Sequence, residues 1–348
     1  MPIVNDATCL TRSGFDLNVA VLLAHASDIV YEKESDIKTW AQAHGFNTGV
    51  GEFDFFDEGN IQGFWCTAQD VALLAFRGTN NFKQWMRDAQ VTPASHPWGR
   101  VHRGFKGGVD NVEMDLRKFD EVAAKAKHVW LCGHSLGGAL AVIAAARLKM
   151  KGVLSTTYTY GQPMVGLSGF AERFAIEMPS RLYRFINQSD IVPRLPSPLG
   201  LVYQHTGIAK RIVEPGRLEV AMKAVEKRAQ SLELSVQTAA TYSYESTLPA
   251  PELLPAELKV NLELESGTLA TAQAVAAAGI EDSMLIESEL PPVSPEQFAA
   301  LEMSMPEGMD IDTPAAIELE GFIPIPWFDD HKMKQYIQQL TRIRDQQA

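Results

Sequence analysis

The chain has 348 residues, of which 46% are hydrophobic and 21% charged, and this ordinary composition excludes a wholly disordered or collagen-like protein. At roughly 150 residues per domain, the length predicts two domains or one large domain with an insertion. The longest uninterrupted apolar run, from Ala139 to Ala146, is far shorter than the roughly 18 residues that a membrane-spanning helix needs. We therefore expect no transmembrane segment.

The N-terminal stretch and the cysteines bear on the cellular compartment. Residues 1–16 contain no basic start followed by an apolar run, so we expect no secretory signal peptide. Three cysteines, Cys9, Cys66 and Cys132, are too few and too scattered for a disulfide framework or a zinc site, which favours a reducing compartment. We expect a cytoplasmic protein, and the alternative is a mature form of an exported one.

Acidic residues are concentrated in one part of the chain. Residues 214–320 contain 20 Asp and Glu but only 5 Lys and Arg, while the whole chain carries a net charge of −12. Prolines interrupt this segment at both ends, as is typical of a unit built from short elements. We predict an inserted acidic subdomain at 214–320 and a core formed by 1–213 and 321–348. A solvated surface is the simplest explanation of the acidity.

Outside the insert, apolar patterns alternate between strands and helices. The predicted elements, in chain order, are a helix from Asn18 to Tyr31, strands from Gly63 to Cys66 and Val71 to Phe76, a helix from Val109 to Lys127, a strand from Val129 to Cys132, a helix from Gly138 to Met150, and strands from Thr156 to Tyr160 and Leu182 to Ile186. This alternation predicts an α/β fold with a mostly parallel sheet covered by helices on both faces.

A G-x-S-x-G motif occupies residues 133–137, between the third predicted strand and the helix that follows it. In a nucleophile elbow, the serine has strained backbone angles, and the flanking glycines let strand and helix approach closely. The turn also directs the N–H of Leu136 to the point where an oxyanion would form. The motif alone is weak evidence, but its place between strand and helix favours Ser135 as a nucleophile.

A nucleophilic serine needs a base and an orienting acid, which follow it in the order acid, then histidine, in sheet hydrolases. Asp190 lies just past the predicted strand that ends at Ile186, where catalytic groups collect; the alternative is an ordinary turn residue before Pro193. Only His205 and His331 follow Ser135, and spacing does not decide between them.

Six blocks, in this order, resemble the signatures of the class 3 lipases. They are Phe76-Arg77-Gly78-Thr79, Trp85 with Asp88, Val101-His102-Arg103-Gly104-Phe105, Gly133-His134-Ser135-Leu136-Gly137-Gly138-Ala139, Tyr160-Gly161-Gln162-Pro163 with Val165-Gly166, and Asp190-Ile191-Val192-Pro193-Arg194-Leu195-Pro196. The resemblance runs from about residue 15 to 210 and resumes near Phe328, and it leaves out the acidic insert. It implies an α/β-hydrolase fold and hydrolysis of carboxylic esters.

The same resemblance implies roles for individual residues. Ser135 would be the nucleophile, Asp190 the orienting acid, and the N–H groups of Thr79 and Leu136 the oxyanion hole. His331, in a block similar to the late Asp-His signature, would be the base. The block around His205 resembles a non-catalytic strand of the family, so that histidine would be structural, as would His102 and His134.

Access to the site gives a further expectation. Phe82, Trp85 and Met86 recur at i, i+3 and i+4, which predicts a short helix with one apolar edge; the resemblance implies a lid over the acyl pocket, and packing into the core is the alternative. Because the insert lies between Asp190 and His331, we expect it to cap the pocket.

The expected function is that of a serine ester hydrolase, a triacylglycerol lipase or carboxylesterase, cleaving neutral acylglycerol-type esters through an acyl-enzyme. No cofactor and no metal are expected. The partners would be a small-molecule or lipid ester and a neutral lipid interface, since the negative charge opposes adsorption to anionic lipids. No basic stripe indicates nucleic-acid binding. A phospholipase, a feruloyl-type esterase and a non-catalytic scaffold stay open.

Overall fold

A computed structural model of the protein describes residues 6–12, 14–79, 92–187, 190–196, 203–213, 284–286 and 331–347. Within these ranges the helices are α1 (Leu17–Ile29), α2 (Glu34–Ala43), α3 (Arg103–Asn111), α4 (Glu113–Ala123), α5 (Leu136–Met150), α6 (Ser168–Glu177) and α7 (Met333–Gln347), with short 3-10 helices at Ala7–Thr11 and Val192–Arg194. The strands are β1 (Phe53–Glu58), β2 (Ile61–Ala68), β3 (Val71–Phe76), β4 (Pro93–His96), β5 (Gly99–His102), β6 (His128–His134), β7 (Ser155–Tyr160), β8 (Gly166–Leu167), β9 (Leu182–Asn187), β10 (Tyr203–Gln204), β11 (Ile208–Val213) and β12 (Met284–Ile286).

Eight of these strands form the central sheet, in the order β1-β2-β3-β6-β7-β9-β11-β12. The pairs from β3 to β11 are parallel, and the outer pairs are antiparallel. A smaller antiparallel sheet has the order β10-β8-β5-β4. The predicted α/β fold with a mostly parallel sheet is therefore confirmed, and the carboxyl ends of β3, β6, β7 and β9 meet at one edge.

Two hydrophobic cores cover the two faces of the central sheet. One contains apolar residues of α1 and α7, and the other contains those of α3, α4 and α5. All six residues of β3 are buried, and α5 is buried nearly all round, as expected for elements in the middle of a doubly covered sheet. Within the described ranges, no helix combines the length and the apolar character needed to cross a membrane.

The single helix predicted from Val109 to Lys127 is wrong. The structure has two helices there, α3 and α4, which meet at Val112 with φ −103° and ψ 21°, outside the helical region. The first helix begins six residues earlier than predicted, where the His102 imidazole accepts a hydrogen bond from the Phe105 N–H at 3.4 Å. Three glycines conceal this start in the sequence. One of them, Gly108, packs so closely that a Cβ would lie 3.0 Å from Leu140.

The sequence analysis predicted no helix at α2, α6 or α7 and no strand at β1, β4, β5, β8 or β11. Only residues 284–286 of the predicted acidic insert are described, and they pair with β11 as the edge strand of the central sheet. At least this part of the insert therefore belongs to the main sheet. The proposed domain boundaries stay a prediction.

Candidate active site

Ser135 occupies a sharp turn between β6 and α5. Its φ is +55° and its ψ −125°, in a region that residues with a side chain rarely adopt and that marks strained, often functional positions. The Ser135 N–H donates to the Tyr160 carbonyl at the end of β7 at 2.9 Å, which ties the turn to the neighbouring strand. The residue is 1% exposed, so a substrate would meet it inside the protein.

The glycines around Ser135 are required by contact distances. A Cβ at Gly133 would lie 2.3 Å from the carbonyl carbon of Gly137, and one at Gly137 would lie 2.2 Å from the carbonyl oxygen of Phe76. Both distances are far below van der Waals contact. The motif glycines therefore allow β6, α5 and the end of β3 to meet at the serine, as the elbow interpretation requires.

The segment that follows β3 lies against the elbow. A Cβ at Gly78 would be 2.8 Å from the His134 carbonyl oxygen and 3.3 Å from the Ser135 Cβ, and Thr79 is the next residue. Leu136 is the first residue of α5, and N–H groups in the first turn of a helix have no acceptor within the helix. Gly78, the residue before Thr79, thus lies against Ser135 on one side, and Leu136 follows Ser135 directly in the chain.

Asp190 and His331 form a buried pair at the same edge of the sheet. The His331 Nδ1–H donates to Asp190 Oδ2 at 2.8 Å, and both side chains are 0% exposed. A Cβ at Gly161 would lie 2.7 Å from Asp190 Oδ2 and 2.7 Å from the His331 ring. Gly161 directly follows Tyr160, whose carbonyl holds Ser135. The pair and the serine are therefore separated by a single backbone segment.

Asp190 accepts two further hydrogen bonds. The Val192 N–H donates to its Oδ1 at 2.9 Å, and the Tyr336 hydroxyl donates to its Oδ2 at 2.6 Å. The Asn187 N–H donates to that same hydroxyl oxygen at 3.0 Å, which leaves the hydroxyl proton to point at the carboxylate. The sequence analysis missed Tyr336, although it lies only five residues after His331.

His134 contacts His331 from the side of the elbow. Its Nε2 lies 2.6 Å from the His331 carbonyl oxygen, and the two ring centroids are 4.4 Å apart. Its Nδ1 lies 3.2 Å from the Tyr31 hydroxyl. Burial lowers the pKa of His134 well below 6.5, and the nearby His331 lowers it further. His134 is therefore a neutral neighbour of His331.

The other histidine that could have been the base lies elsewhere. The His205 Nε2 is 2.6 Å from the Pro193 carbonyl oxygen, and burial lowers its pKa well below 6.5. His102 caps α3 and stacks on Phe105 with ring centroids 4.1 Å apart. The structure thus brings together Asp190 and His331 beside Ser135 and leaves His205 at a backbone carbonyl.

Some predicted features lie outside the described residues, namely the lid residues Phe82, Trp85 and Met86 and the acidic insert apart from 284–286. The cysteines are buried thiols without disulfides, and burial raises the pKa of Cys132 to about 12. In the described part of the chain, no group of three or more His, Cys, Asp or Glu is arranged to hold a metal ion.

Residues 73–199 match the family model described as Lipase (class 3). This range includes Thr79, the elbow and Asp190. Over these residues the chain is similar to the class 3 lipases. The resemblance stated from the sequence blocks is confirmed by this match, and the family's α/β-hydrolase fold is the one described above.

Two curated relatives illustrate what this chain is similar to. A secreted mono- and diacylglycerol lipase of Fusarium solani is 32% identical over 181 residues, covering 50% of this chain and 51% of that protein. Phospholipase A1-II 4 of Oryza sativa subsp. japonica is 27% identical over 194 residues, covering 43% of this chain and 48% of that protein. The chain thus spans about half the length of these relatives.

Among solved structures, a deletion mutant of the Rhizomucor miehei lipase in its propeptide complex has a TM-score of 0.50 and 23% identity, covering 58% of this chain and 68% of that chain. The two proteins share the fold. The Fusarium relative is named as secreted, and the cytoplasmic location expected from the sequence finds no support in the comparisons.

Proposed function

We propose that the protein hydrolyses acylglycerol-type esters through an acyl-enzyme on Ser135. The observation that carries this proposal is the buried Asp190–His331 hydrogen bond of 2.8 Å beside the strained elbow. An acid, an imidazole and a serine held at one sheet edge form the arrangement that activates a hydroxyl nucleophile. The match of residues 73–199 to the class 3 lipases and the similarity to the Fusarium mono- and diacylglycerol lipase support the choice of substrate.

In the proposed mechanism, His331 acts as general base. Asp190 holds Nδ1, so Nε2 takes the proton of the Ser135 hydroxyl as its oxygen attacks the ester carbonyl carbon. The resulting imidazolium gives that proton to the departing alcohol oxygen as the carbon–oxygen bond breaks. Water then attacks the acyl-enzyme with the same base, the fatty acid leaves, and Ser135 regains its proton.

The tetrahedral intermediate carries a negative oxygen, for which the N–H groups of Leu136 and Thr79 are the proposed donors. Leu136 opens α5, so the partial positive charge at the start of that helix acts at the same point. Loss of one such donor typically costs about 3 kcal/mol of transition-state stabilisation. Replacing Thr79 with proline removes its N–H, and we expect kcat to fall by about two to three orders of magnitude.

The decisive experiment compares wild type with Ser135→Ala on p-nitrophenyl esters of increasing acyl length and on emulsified triacylglycerol. We expect Ser135→Ala to lose hydrolysis while its thermal unfolding midpoint stays close to that of wild type. Undiminished hydrolysis by this variant would overturn the mechanism. Activity on long acyl chains and on the emulsion would favour a lipase, and activity on short or aromatic esters alone would favour a non-lipid esterase.

A phospholipase is the second candidate, because the rice relative is named as a phospholipase A1. The chemistry at Ser135 would be the same, and only the alcohol side of the ester would differ. The net charge of −12 opposes adsorption to anionic phospholipid, which makes neutral esters our first choice. Release of fatty acid from phosphatidylcholine vesicles at a rate equal to that from diacylglycerol emulsion would reverse this preference.

We also propose that Phe82, Trp85 and Met86 form a lid and that the acidic insert at 214–320 caps the pocket, with 1–213 and 321–348 as the catalytic core. The support is positional, because the insert separates Asp190 from His331 in the chain. Since β12 pairs with β11, a useful deletion removes 217–280 and keeps that strand. A changed acyl-length preference is expected, and an unchanged one would indicate a remote appendage.

A further inference from the structure

Tyr31 and His134, which have no role in the proposed chemistry, hold the loop that carries His331. The His134 Nε2 is 2.6 Å from the His331 carbonyl oxygen. A carbonyl oxygen only accepts hydrogen bonds, so Nε2 carries the proton and donates. In a neutral imidazole the other nitrogen is then an acceptor, and the Tyr31 hydroxyl, 3.2 Å from Nδ1, supplies the donor. The tautomer of His134 is therefore set by its two partners.

Tyr31 is itself held beside the oxyanion segment, Arg77 to Thr79, which follows β3. The Arg77 guanidinium lies 5.3 Å from the centre of the Tyr31 ring. A Cβ at Gly78 would be 2.3 Å from the Tyr31 hydroxyl oxygen and 3.3 Å from the Ser135 Cβ. The hydroxyl thus lies between the backbone next to Thr79 and the imidazole that holds His331. One side chain contacts both halves of the proposed machinery.

The neutral state of His134 matters because of its distance from the base. Its ring centroid is 4.4 Å from that of His331, which becomes an imidazolium in the proposed mechanism. The titratable groups that face His134 are His331, Tyr31 and the more distant Tyr336 ring at 6.2 Å, with Arg77 behind Tyr31 and Asp190 behind His331. A second positive ring at that distance would oppose protonation of the base.

We propose that Tyr31 and His134 are positioning residues for the hydrolysis. The Tyr31 hydroxyl holds His134 as the Nε2–H tautomer, and His134 holds the backbone of His331 so that the imidazole faces Ser135. Neither residue touches substrate or reacting atoms. The inference rests on the proposed function, because it assigns roles within that reaction, and it links the oxyanion segment to the base through one hydrogen-bonded chain.

The test uses Tyr31→Phe with Tyr158→Phe as the matched control. Both variants lose one hydrogen-bonded hydroxyl, but the Tyr158 hydroxyl accepts from the Asp16 N–H at 3.1 Å, away from the site. A fluorophosphonate titrates the reactive serine in each preparation, so kcat is expressed per active site and misfolded protein does not count. We expect Tyr31→Phe to lower kcat about tenfold, with KM within about twofold of wild type, and Tyr158→Phe to leave both unchanged.

Two His134 variants test whether Tyr31 acts through this residue. Gln retains a side-chain N–H that can reach the His331 carbonyl, whereas Ala does not, so His134→Gln should keep more of kcat than His134→Ala. In the His134→Ala background, adding Tyr31→Phe should change kcat by less than about twofold, since residues acting as a unit are not additive. Losses that multiply in the double variant would overturn the proposal.

A spectroscopic measurement covers the case in which these variants fold poorly. In the Ser135→Ala protein with ¹⁵N-labelled histidine, the His134 signals should report the neutral Nε2–H tautomer from about pH 5 to 8. Titration of His134 within that range, or the Nδ1–H tautomer, would refute the assignment. An inactive wild type would instead refute the proposed function, whereas an active wild type with a fully active Tyr31→Phe would refute only the positioning role.

Discussion

Tyr336→Phe would test how strongly Asp190, the proposed acid, is held beside His331. The substitution keeps the ring and removes the hydroxyl that donates to Asp190 Oδ2 at 2.6 Å. A hydrogen bond to a charged group contributes about 1.5 to 3 kcal/mol, and an unpaired buried N–H costs about 1 to 3 kcal/mol more. Here that N–H belongs to Asn187, which donates to the same hydroxyl at 3.0 Å. We expect Tyr336→Phe to lower the free energy of unfolding by about 2.5 to 6 kcal/mol, the sum of these two contributions.

Urea unfolding followed by circular dichroism measures this change, and Tyr158→Phe is again the control. That variant loses a hydrogen bond between neutral groups, and the Asp16 N–H that it leaves is only partly buried. Its free energy of unfolding should therefore fall by only about 1 kcal/mol. Because Asp190 orients His331, kcat per titrated serine should also fall for Tyr336→Phe and stay unchanged for the control. Equal destabilisation of the two variants, together with unchanged kcat for Tyr336→Phe, would refute the view that the hydroxyl supports the carboxylate.

Four further substitutions test other parts of the site and the cap of α3. His331→Ala should reduce ester hydrolysis by about four orders of magnitude or more, while His205→Ala should retain most of it; the reverse result in the same assay would move the base to His205. Gly161→Ala should reduce kcat by at least about two orders of magnitude, since φ is +59° and the Cβ would lie 2.7 Å from the His331 ring; wild-type kinetics would show that the loop can shift. Burial lowers the pKa of His102 from 6.5 to about 4, so between these pH values the unfolded chain binds more protons than the folded one. The free energy of unfolding should therefore fall, by up to about 3 kcal/mol, as the pH is lowered from 6.5 to about 4. His102→Asn keeps a cap for α3 and should flatten this pH dependence of urea unfolding, and an unchanged slope would contradict the explanation.

The elements that were predicted correctly share strong local signals. The helix at Gly138 to Met150 contains the longest apolar run of the chain, and the strand at Val71 to Phe76 is apolar throughout. Both occur within a residue or two of their predicted bounds. By contrast, the break between α3 and α4 at Val112 follows from tertiary packing and capping. Glycines generally disfavour a helix. Here Gly108 lets α3 pack closely against Leu140, which no local pattern indicates.

The site divides in the same way between local and distant information. Ser135 and Asp190 could be predicted because each follows a recognisable strand. The base could not be chosen from spacing, since two histidines satisfied it, and only the resemblance favoured His331. Tyr336 and Tyr31 were missed because their contacts with Asp190 and His134 join residues 146 and 103 positions apart, and no local pattern records such contacts.

What the amino-acid sequence determined by itself is the elbow. A serine with a glycine two residues to either side, between an apolar strand and a small-residue helix, favours a sharp turn, because the glycines permit close contacts that a side chain would block. Which imidazole meets Asp190, and which hydroxyls support that pair, was decided by the tertiary structure. These contacts depend on where α7 packs against α1 and on how the parallel strands align, and both are set by burial of apolar surface across the whole sheet.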